Sequence, residues 1–194
     1  RREFGKWIDC VIEREETHTP RFLALAARCK NMAGMPVEAL QLARRAASEA
    51  RRCRDDEVVV RSSLLIARIL RCQVSLEESN RVLDDLREKY PETLWPLRYG
   101  IAAERAYNLI LENHYQQALD LMEELKKAAT EAGDSRALWA ERFLALPLFF
   151  LGRCSEALAC FRAGERLSAR NRFLLDRHGV YIVAARCMQL QGQY

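Results

Sequence analysis

Met32-Ala-Gly-Met-Pro-Val-Glu-Ala-Leu40 is the stretch that decides the fold, because its spacing of glycine, alanine and leucine returns further along the chain. It returns as Leu-Glu-Asn-His-Tyr-Gln-Gln-Ala-Leu at 111–119 and as Phe-Leu-Gly-Arg-Cys-Ser-Glu-Ala-Leu at 150–158, and it begins again at Leu190. Recurrence at a fixed interval of this size is typical of repeat proteins, in which each repeat is one supersecondary unit. The sequence therefore predicts an array of similar units.

The turn residue of each unit gives the register of the array. The turns fall at Gly34, Val74, Asn113, Gly152 and Gly192, separated by 40, 39, 39 and 40 residues. Small residues recur seven positions before the turn, at Ala27, Ala67, Ala106, Ala145 and Ala185. They recur five positions after it, at Ala39, Ser79, Ala118 and Ala157. A bulkier column follows nine positions after it, at Ala43, Leu83, Met122 and Phe161. Small side chains at fixed places on two successive helices permit close helix packing, so each unit is predicted to be a helix-turn-helix hairpin that stacks on its neighbours.

These columns resemble those of the tetratricopeptide repeat (TPR), and Ala145, Gly152, Ala157 and Phe161 match that pattern best. The unit around Val74 is degenerate. The usual TPR period is 34 residues, so a longer period implies extra helical turns in each hairpin. Elongated repeats of this kind are similar to the effector-sensing arms of maltose-activator, LuxR-type (STAND) bacterial transcription regulators, and to the repeats of kinesin light chains and other adaptors. HEAT-type repeats share the period but lack these alanine columns.

The resemblance implies an all-α fold, a right-handed superhelix of about four to five hairpins that forms a single domain over residues 1–194. The predicted parts are the last helix of a preceding repeat at 1–17, repeats at 20–54, 56–90, 93–132 and 134–170, and the first helix of a truncated repeat at 172–194. We therefore expect the chain to be a piece of a larger protein. Pro147 is expected to kink the helix that contains it.

Composition bounds the class of protein. The chain is 49% hydrophobic and 30% charged, with 8 glycines and 5 prolines, which suits a folded helical protein. No apolar run reaches the roughly 18 residues needed to span a bilayer, and no signal peptide opens the chain, so a cytoplasmic protein without membrane contact is predicted. The 7 cysteines include no Cys-x-x-Cys pair and the 3 histidines are scattered, so we predict no metal site and no cofactor.

Candidate ligand-binding residues follow from the resemblance. In TPR proteins the first helix of each hairpin lines a concave groove, at positions thirteen, ten, six and three before the turn. Carried over by register, these positions contain arginines and aromatic residues but no acid, which suits an acidic peptide, a phosphate or a polar small molecule. The candidates are Arg21, Arg28, Asn31, Arg61, Arg68, Arg71, Tyr107, Trp139, Arg142 and Arg186. The competing interpretation is that the arginines are solvated surface charge.

The pattern of charge favours a protein or small-molecule partner. Residues 1–74 contain 15 basic and 10 acidic residues, whereas residues 75–194 contain 16 and 17, a surplus too modest to favour direct nucleic-acid binding. Nucleotide-binding and nucleophile motifs are absent, so we predict a non-catalytic protein. The leading hypothesis is a sensing domain of a multidomain bacterial transcription regulator that binds an effector or peptide in its concave groove. The alternatives are a constitutive scaffold or adaptor for protein–protein interaction, and a non-catalytic appendage of an enzyme.

Overall fold

The computed structural model describes residues 19–90, 95–131, 133, 137–171 and 189. Every regular element within these ranges is an α-helix, which confirms the predicted all-α class for this part of the chain. The helices are α1 (Pro20–Met32), α2 (Pro36–Cys53), α3 (Asp56–Gln73), α4 (Leu76–Lys89), α5 (Trp95–Leu111), α6 (Tyr115–Glu131), α7 (Ala137–Phe150) and α8 (Cys154–Asn171). The helices predicted over 1–17 and 172–194 lie outside the described residues, apart from Gln189, which is helical.

Helix starts follow the capping residues in the sequence. The side-chain oxygens of Thr19, Asp55 and Ser75 each accept a hydrogen bond from the backbone N–H three residues further on, at 3.2, 3.2 and 3.1 Å. Each bond satisfies a donor that the first turn of a helix leaves without a partner inside the helix. Pro36 occupies the first turn of α2, where its missing N–H removes no helical hydrogen bond. Local chemistry therefore places the starts of α1 to α4.

The turns repeat one backbone geometry. Gly34, Asn113 and Gly152 have positive φ angles of 82°, 64° and 76°. The residue after each donates its backbone N–H to a carbonyl five residues earlier, in the pairs Met35–Lys30, His114–Leu109 and Arg153–Leu148 at 3.0, 2.8 and 2.9 Å. This is the Schellman arrangement that ends many helices. Val74 has a φ of −126°, so the turn that the sequence marks as degenerate also differs in backbone conformation.

The chain divides into two compact units, residues 1–104 (unit 1) and 105–194 (unit 2), and the boundary falls within α5. In unit 1, α1 packs on α2, α2 on α3 and α3 on α4, and α1 also contacts α3. In unit 2, α6 packs on α7 and α7 on α8. Contacts between successive helices are what stacked helical repeats require. The prediction of a single domain over residues 1–194 and the predicted bounds of the repeats stay predictions.

The aligned columns form the core, as the register predicts. Seven positions before the turn, Ala27, Ala67, Ala106 and Ala145 are at most 3% exposed. Five positions after it, Ala39, Ser79, Ala118 and Ala157 are fully buried. The bulkier column, Ala43, Leu83, Met122 and Phe161, is buried as well. Ala185 lies outside the described residues. Small side chains thus occupy buried positions in both units, where they permit close helix approach.

First helices of neighbouring hairpins approach closely in unit 1. Ala27 of α1 and Ile66 of α3 share one buried cluster, on which Leu65 also packs. Further along, a Cβ added to Gly100 of α5 would lie 2.8 Å from Cδ1 of Leu64 of α3. A side chain at Gly100 would therefore force the end of the Leu64 side chain to move, so the glycine leaves space for Leu64 where α3 and α5 meet.

α7 runs as one helix through Pro147 to Phe150, and Pro147 is fully buried. Proline has no N–H to donate to the carbonyl four residues earlier, which in a helix interior costs about 3 kcal/mol unless packing compensates. The burial of Pro147 provides such packing. The kink expected there stays a prediction.

Candidate functional site

One exposed side of α1 and α3 contains most of the predicted arginines of unit 1. On α1 it comprises Arg21, Leu25, Arg28 and Met32, and on α3 it comprises Arg61, Leu65, Arg68 and Cys72. Steps of four, three and four residues keep these side chains on one face of a helix. All are exposed except Leu65, which is half-buried. We call these residues the arginine face.

The arginine face overlaps only half of the predicted groove positions. The positions thirteen and six before the turn are exposed, at Arg21, Arg28, Arg61 and Arg68. The positions ten and three before it are half-buried, at Ala24, Asn31, Leu64 and Arg71. The face instead includes the positions nine and two before the turn, which add Leu25 and Met32, 59% and 68% exposed. The surface therefore alternates guanidinium groups with exposed apolar side chains.

Glu104 brings two of the predicted arginines together. Its Oε1 accepts hydrogen bonds from Nε of Arg68 at 3.0 Å and from Nη2 of the same residue, and its Oε2 accepts one from Nη1 of Arg71 at 2.8 Å. The side chains of Glu104 and Arg71 are 10% and 7% exposed, whereas that of Arg68 is 55% exposed. A carboxylate this deep in the protein needs such charged donors to offset its lost hydration.

Two other predicted arginines form exposed ion pairs. Nε of Arg21 lies 3.0 Å from Oδ2 of Asp55, and Nη2 of Arg61 lies 2.6 Å from Oε1 of Glu57. Exposed pairs of this kind typically contribute under about 1 kcal/mol, so both arginines could exchange their partner at little cost. Within the described ranges no ion pair or side-chain hydrogen bond involves Arg28.

Glu104 was not among the predicted groove positions, because it lies nine positions before the turn at Asn113. That column contains Leu25, Leu65, Glu104 and Phe143. An acid in a column that is otherwise apolar was the available signal. The column two positions before the turn, which contains Met32, Cys72, Leu111 and Phe150, was omitted as well, and all four residues are exposed. The two columns are seven residues apart, which places them on the same side of each first helix.

Unit 2 has exposed apolar residues in three columns of the arginine face, at nine, six and two positions before the turn. Tyr107, Leu111, Phe143 and Phe150 are 39%, 47%, 37% and 47% exposed. The ring of Phe150 stacks on that of Tyr115, with centroids 4.8 Å apart and planes 8° from parallel. Trp139 and Arg142 belong to α7, but their side chains lie outside the described part, as does Arg186 as a whole. The predicted aromatic candidate that the structure describes is therefore Tyr107.

Other chemistry is sparse in the described ranges. They contain no group of three His, Cys, Asp or Glu side chains able to hold a metal ion. Cys29, Cys53, Cys72, Cys154 and Cys160 are free thiols. No helix in these ranges combines the length and the apolarity needed to cross a bilayer. A surface cleft of about 520 Å³ in unit 2 is lined by Glu123, Lys126, Lys127, Thr130, Glu131 and Leu144, a set of mixed charge.

Comparison with known proteins identifies the fold. No family model and no curated protein matches the sequence. The chain is similar to the solved structure of a kinesin light chain-like protein of Podosopora anserina with nearly identical TPR-like repeats, with 20% identity, a TM-score of 0.63, and coverage of 91% of this chain and 90% of that chain. A variant of that protein gives the same identity and TM-score over 92% of this chain and 90% of that chain.

A double mutant of MamA from RS-1 is similar over 91% of this chain and 97% of that chain, at 15% identity and a TM-score of 0.50. Identities this low establish the fold alone. The chain therefore has a TPR-like helical repeat fold, which confirms that part of the resemblance. The link to bacterial transcription regulators stays a prediction.

Proposed function

We propose that the chain is a non-catalytic protein-interaction scaffold, and that the arginine face of unit 1 binds an acidic segment of a partner protein. The observation that supports this most directly is the pattern of that face. Exposed arginines alternate with exposed Leu25 and Met32 on two helices that contact each other. A partner segment with carboxylates next to apolar side chains would complement both.

The charge of the region supports an anionic partner. Residues 19–74 contain 11 basic and 5 acidic residues, a net charge of +6. Arginine suits the recognition of carboxylates because its planar guanidinium can donate two parallel hydrogen bonds. Apolar contacts beside the arginines would add affinity that salt does not screen. We expect affinity to fall with added salt without vanishing.

The TPR-like fold is consistent with this role, because stacked helical repeats present extended surfaces suited to peptide binding. The sensing domain of a transcription regulator, with a small-molecule effector in place of a peptide, stays a prediction from the repeat length. So does a cytoplasmic location. Nothing in the described residues favours a small effector over a peptide, so the scaffold is the function that we propose.

The proposal is tested by fluorescence anisotropy with a labelled peptide of alternating Glu and Leu, blocked at both ends. We expect Arg21→Gln combined with Arg28→Gln to weaken binding by about tenfold or more, since hydrogen bonds to charged groups contribute about 1.5–3 kcal/mol each. The matched control is Arg44→Gln with Arg52→Gln, which removes the same charge from exposed positions of α2. The control should stay within about twofold of wild type.

Equal losses in the two double variants would mean that net charge alone attracts the peptide, and would refute a binding site on the arginine face. A labelled DNA duplex of equal charge serves as a second probe. Tighter binding of the duplex than of the peptide would refute the predicted absence of nucleic-acid binding.

A further inference from the structure

Unit 1 already contains a carboxylate bound by donors of a first helix. Arg68 and Arg71 lie six and three positions before the turn at Val74 and hold Glu104 through both of its oxygens. Glu104 lies nine positions before the turn at Asn113, on the first helix of the next hairpin. The donors six and three positions before the turn of one hairpin thus bind a carboxylate that lies nine positions before the turn of the next hairpin.

The same positions one repeat earlier hold different residues. Six and three positions before the turn at Gly34 lie Arg28 and Asn31, and nine positions before the turn at Val74 lies Leu65. α1 contacts α3 directly, and Leu65 packs on the buried cluster that contains Ala27, the neighbour of Arg28. Arg28 and Asn31 therefore occupy the same register positions as Arg68 and Arg71, but leucine stands at the position where glutamate supplies the carboxylate. Within the described residues no ion pair or side-chain hydrogen bond involves either of them.

We propose that Arg28 and Asn31 form a slot for a carboxylate of the partner peptide, and that Glu104 is an internal carboxylate that closes the equivalent slot at Arg68 and Arg71. This inference rests on the proposed function and names the residues that take the acidic group. Glu104 acts as a specificity-determining residue, because it restricts the partner's carboxylate to the first of two slots that are alike in register.

The chemistry of the first slot fits a carboxylate next to an apolar side chain. The guanidinium of Arg28 can donate two hydrogen bonds to the bound carboxylate in one plane. The amide N–H group of Asn31 can donate a third hydrogen bond to the same carboxylate. Asn31 is half-buried, so water competes less for its amide than on an open surface. Exposed Leu25 and Met32 lie one turn either side of Arg28 and offer apolar contact. An Asp or Glu side chain and a peptide C-terminus share this chemistry.

The experiment transfers the internal carboxylate from one slot to the other. Leu65→Glu places an acid at the position that Glu104 occupies relative to Arg68 and Arg71, and we expect it to close the first slot and weaken peptide binding by about tenfold. Leu65→Gln is the matched control, because it has the shape of the introduced glutamate without its charge and shows what the loss of the leucine alone does to binding. Leu65→Glu should bind the peptide about tenfold more weakly than Leu65→Gln. Glu104→Gln removes the charge from the second slot and is expected to tighten binding several-fold. Unfolding curves for each variant verify that it folds.

Two probes distinguish the sources of the carboxylate. The first is the blocked Glu and Leu peptide, which offers only side-chain carboxylates. The second is a Ser and Leu peptide with a free C-terminus, and its amidated form is the control. Loss of either probe on Leu65→Glu but not on Leu65→Gln supports the slot and identifies the source. Equal binding by the two variants would overturn it, while the requirement for Arg21 and Arg28 could still uphold the proposed function.

A second measurement needs no ligand. In Leu65→Glu, the pKa of the introduced carboxyl is measured by NMR titration with Arg28 present and with Arg28→Gln added. A guanidinium that reaches the slot holds the pKa of that carboxyl lower than in the Arg28→Gln background. An identical pKa in the two backgrounds would overturn the slot even if peptides bind. Failure of wild type to bind either peptide would instead refute the proposed function.

Discussion

The arginine face of unit 1 and the exposed apolar residues of unit 2 occupy the same columns of the repeat but differ in chemistry. Six positions before the turn, unit 1 has Arg28 and Arg68, whereas unit 2 has Tyr107 and Leu146. Seven positions before it, all four of these hairpins have a buried alanine. Close helix packing leaves no room for change in the alanine column, while the adjacent solvent-facing column is not constrained in this way. Binding chemistry can therefore differ between hairpins that share one fold.

The comparison also separates two ways of holding charge. Unit 1 buries the carboxylate of Glu104 against Arg71, while unit 2 has an exposed pair of Arg153 and Glu156 in which the side chains are 42% and 57% exposed. Desolvation makes the loss of a partner costly in the first case, whereas water replaces a lost partner in the second. The two units should respond very differently when an arginine is removed.

The largest effect is expected at Arg71. Arg71→Gln should lower the free energy of unfolding by about 2–3 kcal/mol, because it leaves Oε2 of Glu104 buried without its charged donor. Arg68→Gln should cost less, since that side chain is 55% exposed. Urea unfolding followed by circular dichroism measures both. Arg61→Gln is the control, because its exposed pair with Glu57 should contribute little. Equal losses at Arg61 and Arg71 would show that burial of Glu104 does not matter.

Overpacking of the alanine column should affect both units alike. Ala67→Leu in unit 1 and Ala145→Leu in unit 2 are each expected to lower the free energy of unfolding by about 1–3 kcal/mol, because both residues are almost fully buried. Ala159→Leu, at an exposed position of α8, is the matched control and should be near neutral. Urea unfolding gives all three values. If the substitution left the free energy of unfolding unchanged in one unit alone, the alanine column would be close-packed only in the other unit.

These elements also show which features the sequence could predict. The turn at Asn113 and the limits of α6, Tyr115–Glu131, follow from local patterns, because capping, turn conformation and small-residue packing repeat along the chain. Burial of Ala106 was predictable for the same reason. The bond between Glu104 and Arg68 was not, because it joins residues 36 positions apart on different hairpins. The exposed columns were missed because their residue types vary, so they align only once the helix faces are known.

Backbone strain at the turn between α2 and α3 of unit 1 gives a smaller effect. Arg54 has a φ of 57°, in the left-handed region that costs a residue with a Cβ about 1–2 kcal/mol. Arg54→Gly should therefore raise the free energy of unfolding by about 0.5–1 kcal/mol, measured by urea unfolding.

Gly152 in unit 2 provides the reverse substitution. Its φ is 76° and a Cβ there would meet nothing within 4 Å, so Gly152→Ala should destabilise by about 1 kcal/mol through backbone conformation alone. Changes of the same sign in Arg54→Gly and Gly152→Ala would show that φ does not determine the cost at these turns.

The smallest effect is expected at the exposed ion pair of unit 2. Nε and Nη2 of Arg153 donate to the two carboxylate oxygens of Glu156, each at 2.7 Å. The hydrogen bond from Arg153 holds the pKa of Glu156 below its ordinary value. Because the folded-state pKa is lowered, the stabilisation is present above the pKa of the unfolded chain and is lost as the pH falls through the folded-state pKa.

Arg153→Gln should therefore raise the pKa of Glu156 towards its ordinary value in an NMR titration, with no measurable change in the urea midpoint near pH 7. Arg162→Gln, at an exposed arginine of α8, should leave that pKa unchanged. A pKa that responds equally to both substitutions would mean that net charge, rather than the paired hydrogen bonds, lowers it. The buried Glu104 and the exposed Glu156 would then differ in that only the buried carboxylate needs a specific arginine. At the exposed carboxylate, water can replace the arginine.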